Sequence, residues 1–192
     1  MPFCKERKIL FLHLPKTAGT SIENALNIRS KENLYDSRGK LPSEFVTRQH
    51  LKLSEYKKYL NLDEYFKFTV VREPFDRFVS AFHFKNKNMY VPQKVKNMNF
   101  DEFVFFLKDL DEIERCFIFD SHFEPQYTFI DYKIDTIFKF EKLDELEKRF
   151  KVTLGKDNVS DRKDKESYYN SETKEIVYNL YKKDFEMFSY ET

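Results

Sequence analysis

Along this chain, short unbroken apolar runs alternate with stretches of helical periodicity. Lys8–Leu14 carries Ile9, Leu10, Phe11 and Leu12 in succession, too short for a helix and without polar alternation, which predicts a strand buried on both faces. Thr20–Leu26 follows with Ile22, Ala25 and Leu26 on one helical face. Ser54 is expected to cap a short helix bearing Tyr56, Tyr59 and Leu60. Phe66–Val71 (FKFTVV) repeats the buried-strand pattern and stops at Arg72-Glu73-Pro74. Pro74 suits the first turn of a helix whose stripe is Phe75, Phe78, Val79 and Phe82. Asn99 and Glu102 have capping-box spacing ahead of Phe103, Phe106 and Leu107. Thr136–Phe140 predicts a further strand and Glu141–Phe150 a helix with Leu143, Leu146 and Phe150 inward. Gly155–Asn170 is charged and aperiodic. Ser171 is expected to cap a last helix with Ile176, Val177, Leu180, Tyr181 and Phe188 inward.

Strands alternating with helices predict an α/β fold around a mostly parallel sheet flanked by helices on both faces. In such sheets ligands gather beyond the carboxyl ends of the strands. The two conspicuous turns, LPKTAGTS and VREPFDRFVS, both fall there.

Composition narrows the partners. The 192 residues, without repeat or low-complexity linker, are read as one domain, 1–192, able to bury a core. The 34 basic and 33 acidic residues leave a net charge of +1, so no basic field argues for nucleic acid. Cys4 and Cys116 show no paired-cysteine motif, and are read as free thiols of a reducing, cytoplasmic compartment. The first apolar run is far too short for a membrane span. The four histidines lack metal-ligand spacing, and no metal is expected. The 22 Phe and 12 Tyr residues mostly recur at core spacing. Tyr35, Tyr90, Tyr168 and Tyr169 fall outside that periodicity and are freer to meet a substrate.

An anion would have to be gripped locally. In PKTAGTS the start of the Thr20–Leu26 helix offers amide N–H groups and the positive dipole end. Lys16 adds a mobile charge, and Thr17, Thr20 and Ser21 add hydroxyls. Gly19 is one of only three glycines and is expected to supply backbone freedom. The Lys precedes the Gly, unlike the Walker A order, and no acidic strand end is in view to hold magnesium. Alone, PKTAGTS reads equally well as a capped strand-to-helix turn. In the second turn, the Arg72 guanidinium and Ser80 hydroxyl can hold one phosphate from two directions. Taken singly, Arg72 pairing with Glu73 or Asp76, and Ser80 packing its helix, explains that turn as well. Two anion grips at adjacent strand ends suit a nucleotide phosphorylated at both ends.

HLPKTAGTS followed by VREPFDRFVSAF resembles the paired signatures of sulfotransferases that use 3′-phosphoadenosine 5′-phosphosulfate (PAPS). The likeness is to the carbohydrate group containing the heparan 2-O-, chondroitin and HNK-1 sulfotransferases and small bacterial relatives. His122–Leu146 (HFEPQYTFIDYKIDTIFKFEKLDEL) resembles the group's H-[WF]-x-P-Q segment with its following strand and helix, and IVYNLYKKDFEMFSY its closing helix. The resemblance implies a P-loop-like fold. It implies that Lys16, Thr17, Ala18, Gly19, Thr20 and Ser21 bind the 5′-phosphosulfate and that Arg72 and Ser80 bind the 3′-phosphate, leaving adenosine 3′,5′-bisphosphate as product. The Lys156–Glu166 stretch matches the group's basic loop only loosely, and no nucleotide contact is assigned to Arg162 or Lys163.

Sulfuryl transfer needs in-line positioning, neutralisation of the leaving oxygen and a base for the acceptor hydroxyl. Lys16 is the candidate for the leaving charge. His50 is the first candidate base. It stands 22 residues before Arg72, much as the catalytic His of the heparan 2-O enzymes precedes its phosphate Arg. His122 and a carboxylate, Glu23 or Glu124, remain alternatives. His13 is read as a supporting strand-end group and His83 as a helix-surface residue. The acceptor is expected to be a hydroxyl, of a saccharide above all, met by Asn27–Thr47 and Asn86–Met98. The chain's modest length points to a small or terminal acceptor. Two rival readings are a P-loop kinase-like phosphotransferase, which would need magnesium, and a non-catalytic nucleotide-binding module, which would bind donor without transfer.

Overall fold

Why Ile9–Leu12 is a strand is plain from its surroundings: all four side chains are buried and both edges are paired. The computed structural model describes residues 2–28, 50–57, 60–88, 91–155 and 162–192. Within it the chain divides into two compact units, Met1–Arg72 with Gln126–Val159, and Glu73–Pro125 with Ser160–Thr192.

The first unit holds the sheet: β1 (Phe3–Cys4), β2 (Ile9–Leu12), β3 (Phe66–Val71) and β4 (Thr136–Lys139), in spatial order β1-β2-β3-β4. The β2–β3 and β3–β4 pairs are parallel and β1 is antiparallel, so the fold is α/β with a mostly parallel sheet, as the alternation predicted. β1 is an addition that two residues of apolar character could not announce.

Two side chains fix the register of the ladder. Thr69 Oγ1 donates to the Leu12 carbonyl at 2.7 Å. The Lys67 N–H donates to Asp135 Oδ2 at 2.7 Å while the Asp135 N–H donates to the Lys67 carbonyl at 2.9 Å. Helices α1 (Gly19–Ala25), α2 (Leu53–Tyr56) and α7 (Leu143–Phe150) belong to this unit. Ile22 of α1, Leu26 just past its end and Leu146 of α7 pack on Phe11, Phe68 and Val70, with Phe150 4.7 Å from the Phe68 ring. Ser54 does not cap α2. It lies inside the helix, and both its N–H and hydroxyl donate to Asp131. Tyr59 lies outside the described residues.

The second unit is helical: α3 (Pro74–Phe84), α4 (Gln93–Lys96), α5 (Phe100–Lys108), α6 (Glu112–Phe119) and α8 (Ser171–Met187). Pro74 is the first residue of α3 behind a Glu73 cap that accepts from the Phe75 and Asp76 N–H groups. The Asn99–Glu102 capping box opens α5 as predicted. α8 is capped by Asn170 through a box with Thr173, so Ser171 is its first residue rather than its cap. α6 carries a box of its own, Asp111 with Glu114. The core is aromatic: Phe75, Phe78, Phe103, Phe119, Phe123, Tyr181 and Phe185 are buried together. Through it runs the Arg77 guanidinium, which donates to the His122 and Glu124 carbonyls at 3.3 and 2.6 Å.

Candidate active site

In parallel sheets adjacent strands end side by side, and in the first unit the PKTAGTS turn follows β2 and Arg72 follows β3. Past β2 the chain turns through Lys16 and Ala18, both in the left-handed region at φ 68° and 65°. The Thr17 hydroxyl, fully buried, donates to the Leu14 carbonyl at 2.9 Å. In this structure Thr17 closes the turn from within. α1 begins with no side-chain cap. Lys16 is half-buried and Ser21 is buried in the first turn of α1.

Gly19 is also present for a different reason. Its φ is not positive, so no conformational freedom is required of it. A Cβ there would stand 1.9 Å from His13 Nε2 and within 2.3 Å of two ring carbons. The missing side chain is the space the His13 imidazole occupies.

Beneath the turn, His13 Nδ1–H donates to Glu23 Oε1 at 2.5 Å, with Glu23 wholly buried. The His50 ring meets the His13 ring edge-on at 4.8 Å, and its Nδ1 lies 3.1 Å from the His13 carbonyl oxygen. A carbonyl can only accept, so Nδ1 carries the proton in this contact. His13, Glu23 and His50 therefore form one cluster, although sequence reasoning treats His13 and Glu23 separately. Glu23 is engaged by His13 and shut from solvent, which removes it as a base for an external hydroxyl.

Past β3, Arg72 Nη1 donates to the Lys16 carbonyl at 3.0 Å, and the guanidinium lies over the Phe140 ring at 3.9 Å. Its main chain is held by Gln126, whose Oε1 accepts the Arg72 N–H at 2.8 Å and whose Nε2 donates to the Arg72 carbonyl at 2.9 Å. Gln126 and Phe140 had no assigned role in the sequence. A polar residue after the Pro of HFEPQ, and an aromatic at the end of a strand beside an Arg-bearing strand, are the only signals they give.

The remaining candidates belong to the second unit. Ser80 is buried on α3, one helical turn beyond Asp76. His122 Nδ1 donates to the Phe119 and Asp120 carbonyls at 2.9 and 3.1 Å and stacks on Phe84 at 4.7 Å. Glu124 is buried with Arg115 Nε 3.5 Å away, and burial above all pushes its carboxyl up to about 7. At 5% exposure it cannot reach an outside hydroxyl. His83 bonds to the Tyr168 hydroxyl at 2.8 Å, and Tyr169 donates to the Phe75 carbonyl at 2.9 Å. Both tyrosines pack on Phe100, which corrects their reading as free to meet substrate. Arg162 pairs with Asp76 at 2.5 Å. Of the predicted acceptor loops, 29–49, 89 and 90 lie outside the described residues, Tyr35 and Tyr90 with them. The described part of 86–98 is tied down by Lys85 Nζ, which donates to the Lys96 carbonyl at 2.7 Å.

Among the described residues no group of side chains could hold a metal ion, and no helix is long and apolar enough to cross a membrane.

The α/β frame agrees with the comparisons. The sulfotransferase family profile matches residues 2–191, through both units, and the chain belongs to that family. Among its relatives, carbohydrate sulfotransferase 10 of Gallus gallus is 37% identical over 100 residues, 47% of this chain and 26% of that protein. Carbohydrate sulfotransferase 11 of Rattus norvegicus and of Mus musculus are each 25% identical over 233 residues, 97% of this chain and 65% of theirs. The chain thus spans less than two thirds of the length of the curated relatives it matches. No solved structure matches.

Proposed function

We propose that this protein transfers a sulfuryl group from PAPS to an acceptor hydroxyl, that of a saccharide. The observation that carries this reading is the bond from Arg72 to the Lys16 carbonyl. It joins the Lys16 turn to the Arg72 strand end, so that one nucleotide phosphorylated at both its 3′ and 5′ positions can meet both. The carbohydrate sulfotransferase relatives support the saccharide, and the family supports a nucleotide sulfate donor.

Bound PAPS would supply an activated sulfuryl group whose departure leaves negative charge on a phosphate oxygen. The Lys16–Ser21 loop surrounds the 5′ end, with Lys16 carrying the charge opposite that oxygen. Such a stabiliser contributes about 10²–10³ in rate. Arg72 takes the 3′-phosphate. His50, held through Nδ1 at the His13 carbonyl, is the base that accepts the hydroxyl proton. The same proposal keeps the protein in the cytoplasm, on the reducing-compartment reading of its cysteines, both free thiols.

Calorimetric titration with adenosine 3′,5′-bisphosphate, without magnesium and against ATP, tests the reading. Micromolar binding of the bisphosphate, weak ATP binding, and loss of the former in Lys16→Ala and Arg72→Ala are expected. Equal preference for ATP, or a magnesium requirement, would point to a phosphotransferase instead.

A further inference from the structure

Arg72 stands one residue beyond the last ladder pair of β3, Val71 with Lys139. There the fully buried side-chain amide of Gln126 takes up both polar groups of its main chain, accepting the N–H and donating to the C=O. The pattern is that of a hydrogen-bonded antiparallel pair, in which two residues exchange both bonds. Here one short side chain does the work of a strand. A primary amide alone among side chains keeps donor and acceptor at that spacing whatever the pH. The guanidinium then leaves a fixed Cα for the Lys16 carbonyl and the Phe140 ring. A small rotation at that Cα becomes a large displacement at the end of so long a side chain.

We propose that Gln126 is a positioning residue for the nucleotide's 3′-phosphate, clamping the Arg72 backbone so that the guanidinium is delivered to that phosphate. Gln126 does not itself touch the nucleotide. The inference rests on the reading of Arg72 given above.

The test compares adenosine 3′,5′-bisphosphate with adenosine 5′-phosphate by calorimetry on the full chain, with the unfolding temperature recorded alongside. Gln126→Leu removes both bonds and keeps most of the volume. Its bisphosphate affinity is expected to fall about 10–100-fold, the scale of a group misplaced by about 1 Å, with 5′-phosphate affinity unchanged. General destabilisation would lower both affinities together and overturns the proposal, as does a folded Gln126→Leu protein with the wild-type preference. Should Gln126→Leu not fold, Gln126→Glu decides. As a neutral acid it can still accept and donate, so its preference for the bisphosphate should match wild type near pH 5. Once ionised it has no donor, and the preference should fall below wild type near pH 8.5. A ratio to wild type that stays flat with pH overturns the proposal. A wild-type protein with no preference for the bisphosphate refutes the Arg72 reading itself and the Gln126 inference with it.

Discussion

Glu124 offers a prediction whose size follows from its surroundings. Its carboxylate is buried in the second unit, and neither oxygen has a hydrogen-bond partner. Burial raises its proton affinity most. The Arg115 charge opposes this, Glu112 adds to it, and Arg77 opposes it again, leaving the carboxyl at about 7 against an ordinary 4.5. Below pH 4.5 the group is neutral whether the chain is folded or not. Between 4.5 and 7 the folded protein holds a proton that the unfolded chain has released, so stability falls as pH rises. Above 7 both states are charged and the penalty is constant. The full loss is about 3 kcal/mol. Gln in place of Glu124 keeps the shape and cannot ionise. Denaturant unfolding of wild type and Glu124→Gln, measured from about pH 4.5 to 8.5, should therefore diverge, the variant gaining about 3 kcal/mol over wild type by the alkaline end. Contributions from other titrating groups, such as His83, cancel in the difference. Two stability curves that run parallel across this range would refute the reasoning.

Gly19→Ala should cost about 1–3 kcal/mol or more by overpacking against His13, and His13→Ala in the same chain should recover part of that loss. A double-mutant cycle in denaturant measures the coupling. Ala18→Gly removes a side chain from a left-handed residue at φ 65° and should stabilise the protein by about 1 kcal/mol, read as a raised unfolding temperature. Asn99→Ala breaks the capping box of α5 and should cost about 1 kcal/mol with no effect on nucleotide affinity.

The elements legible in the sequence were those whose signal is local. FKFTVV is apolar enough to be only a buried strand, and β3 spans those six residues. Asn99-x-x-Glu102 carries its own cap chemistry, and the same logic applied to Asp111-x-x-Glu114 would have found α6. Asn170 and Ser171 are both good caps by type. Only the partner at Thr173 selects Asn170. In the site, the α/β alternation and strand-end rule located both turns. What stayed hidden depends on distant pairs: Gln126 lies 54 residues from Arg72, and no local pattern ties them. Gly19 misled for a related reason. Its constraint is the ring of residue 13, and a glycine in a turn looks the same whether it supplies rotation or room.

With only three glycines in the sequence, the chain puts other residues in left-handed turns, among them Lys8, Lys16, Ala18, Asp120 and Lys151. Such turns have little local reason to form, since each costs about 1–2 kcal/mol in an unfolded segment. The Lys16–Ser21 loop is therefore expected to form late in folding. A synthetic peptide spanning Ile9–Leu26 has no preference for it and should ignore sulfate and phosphate alike. In the folded chain β3 lies beside β2, and Arg72 reaches the Lys16 carbonyl. Under the proposed function, donor binding then requires completed strand pairing.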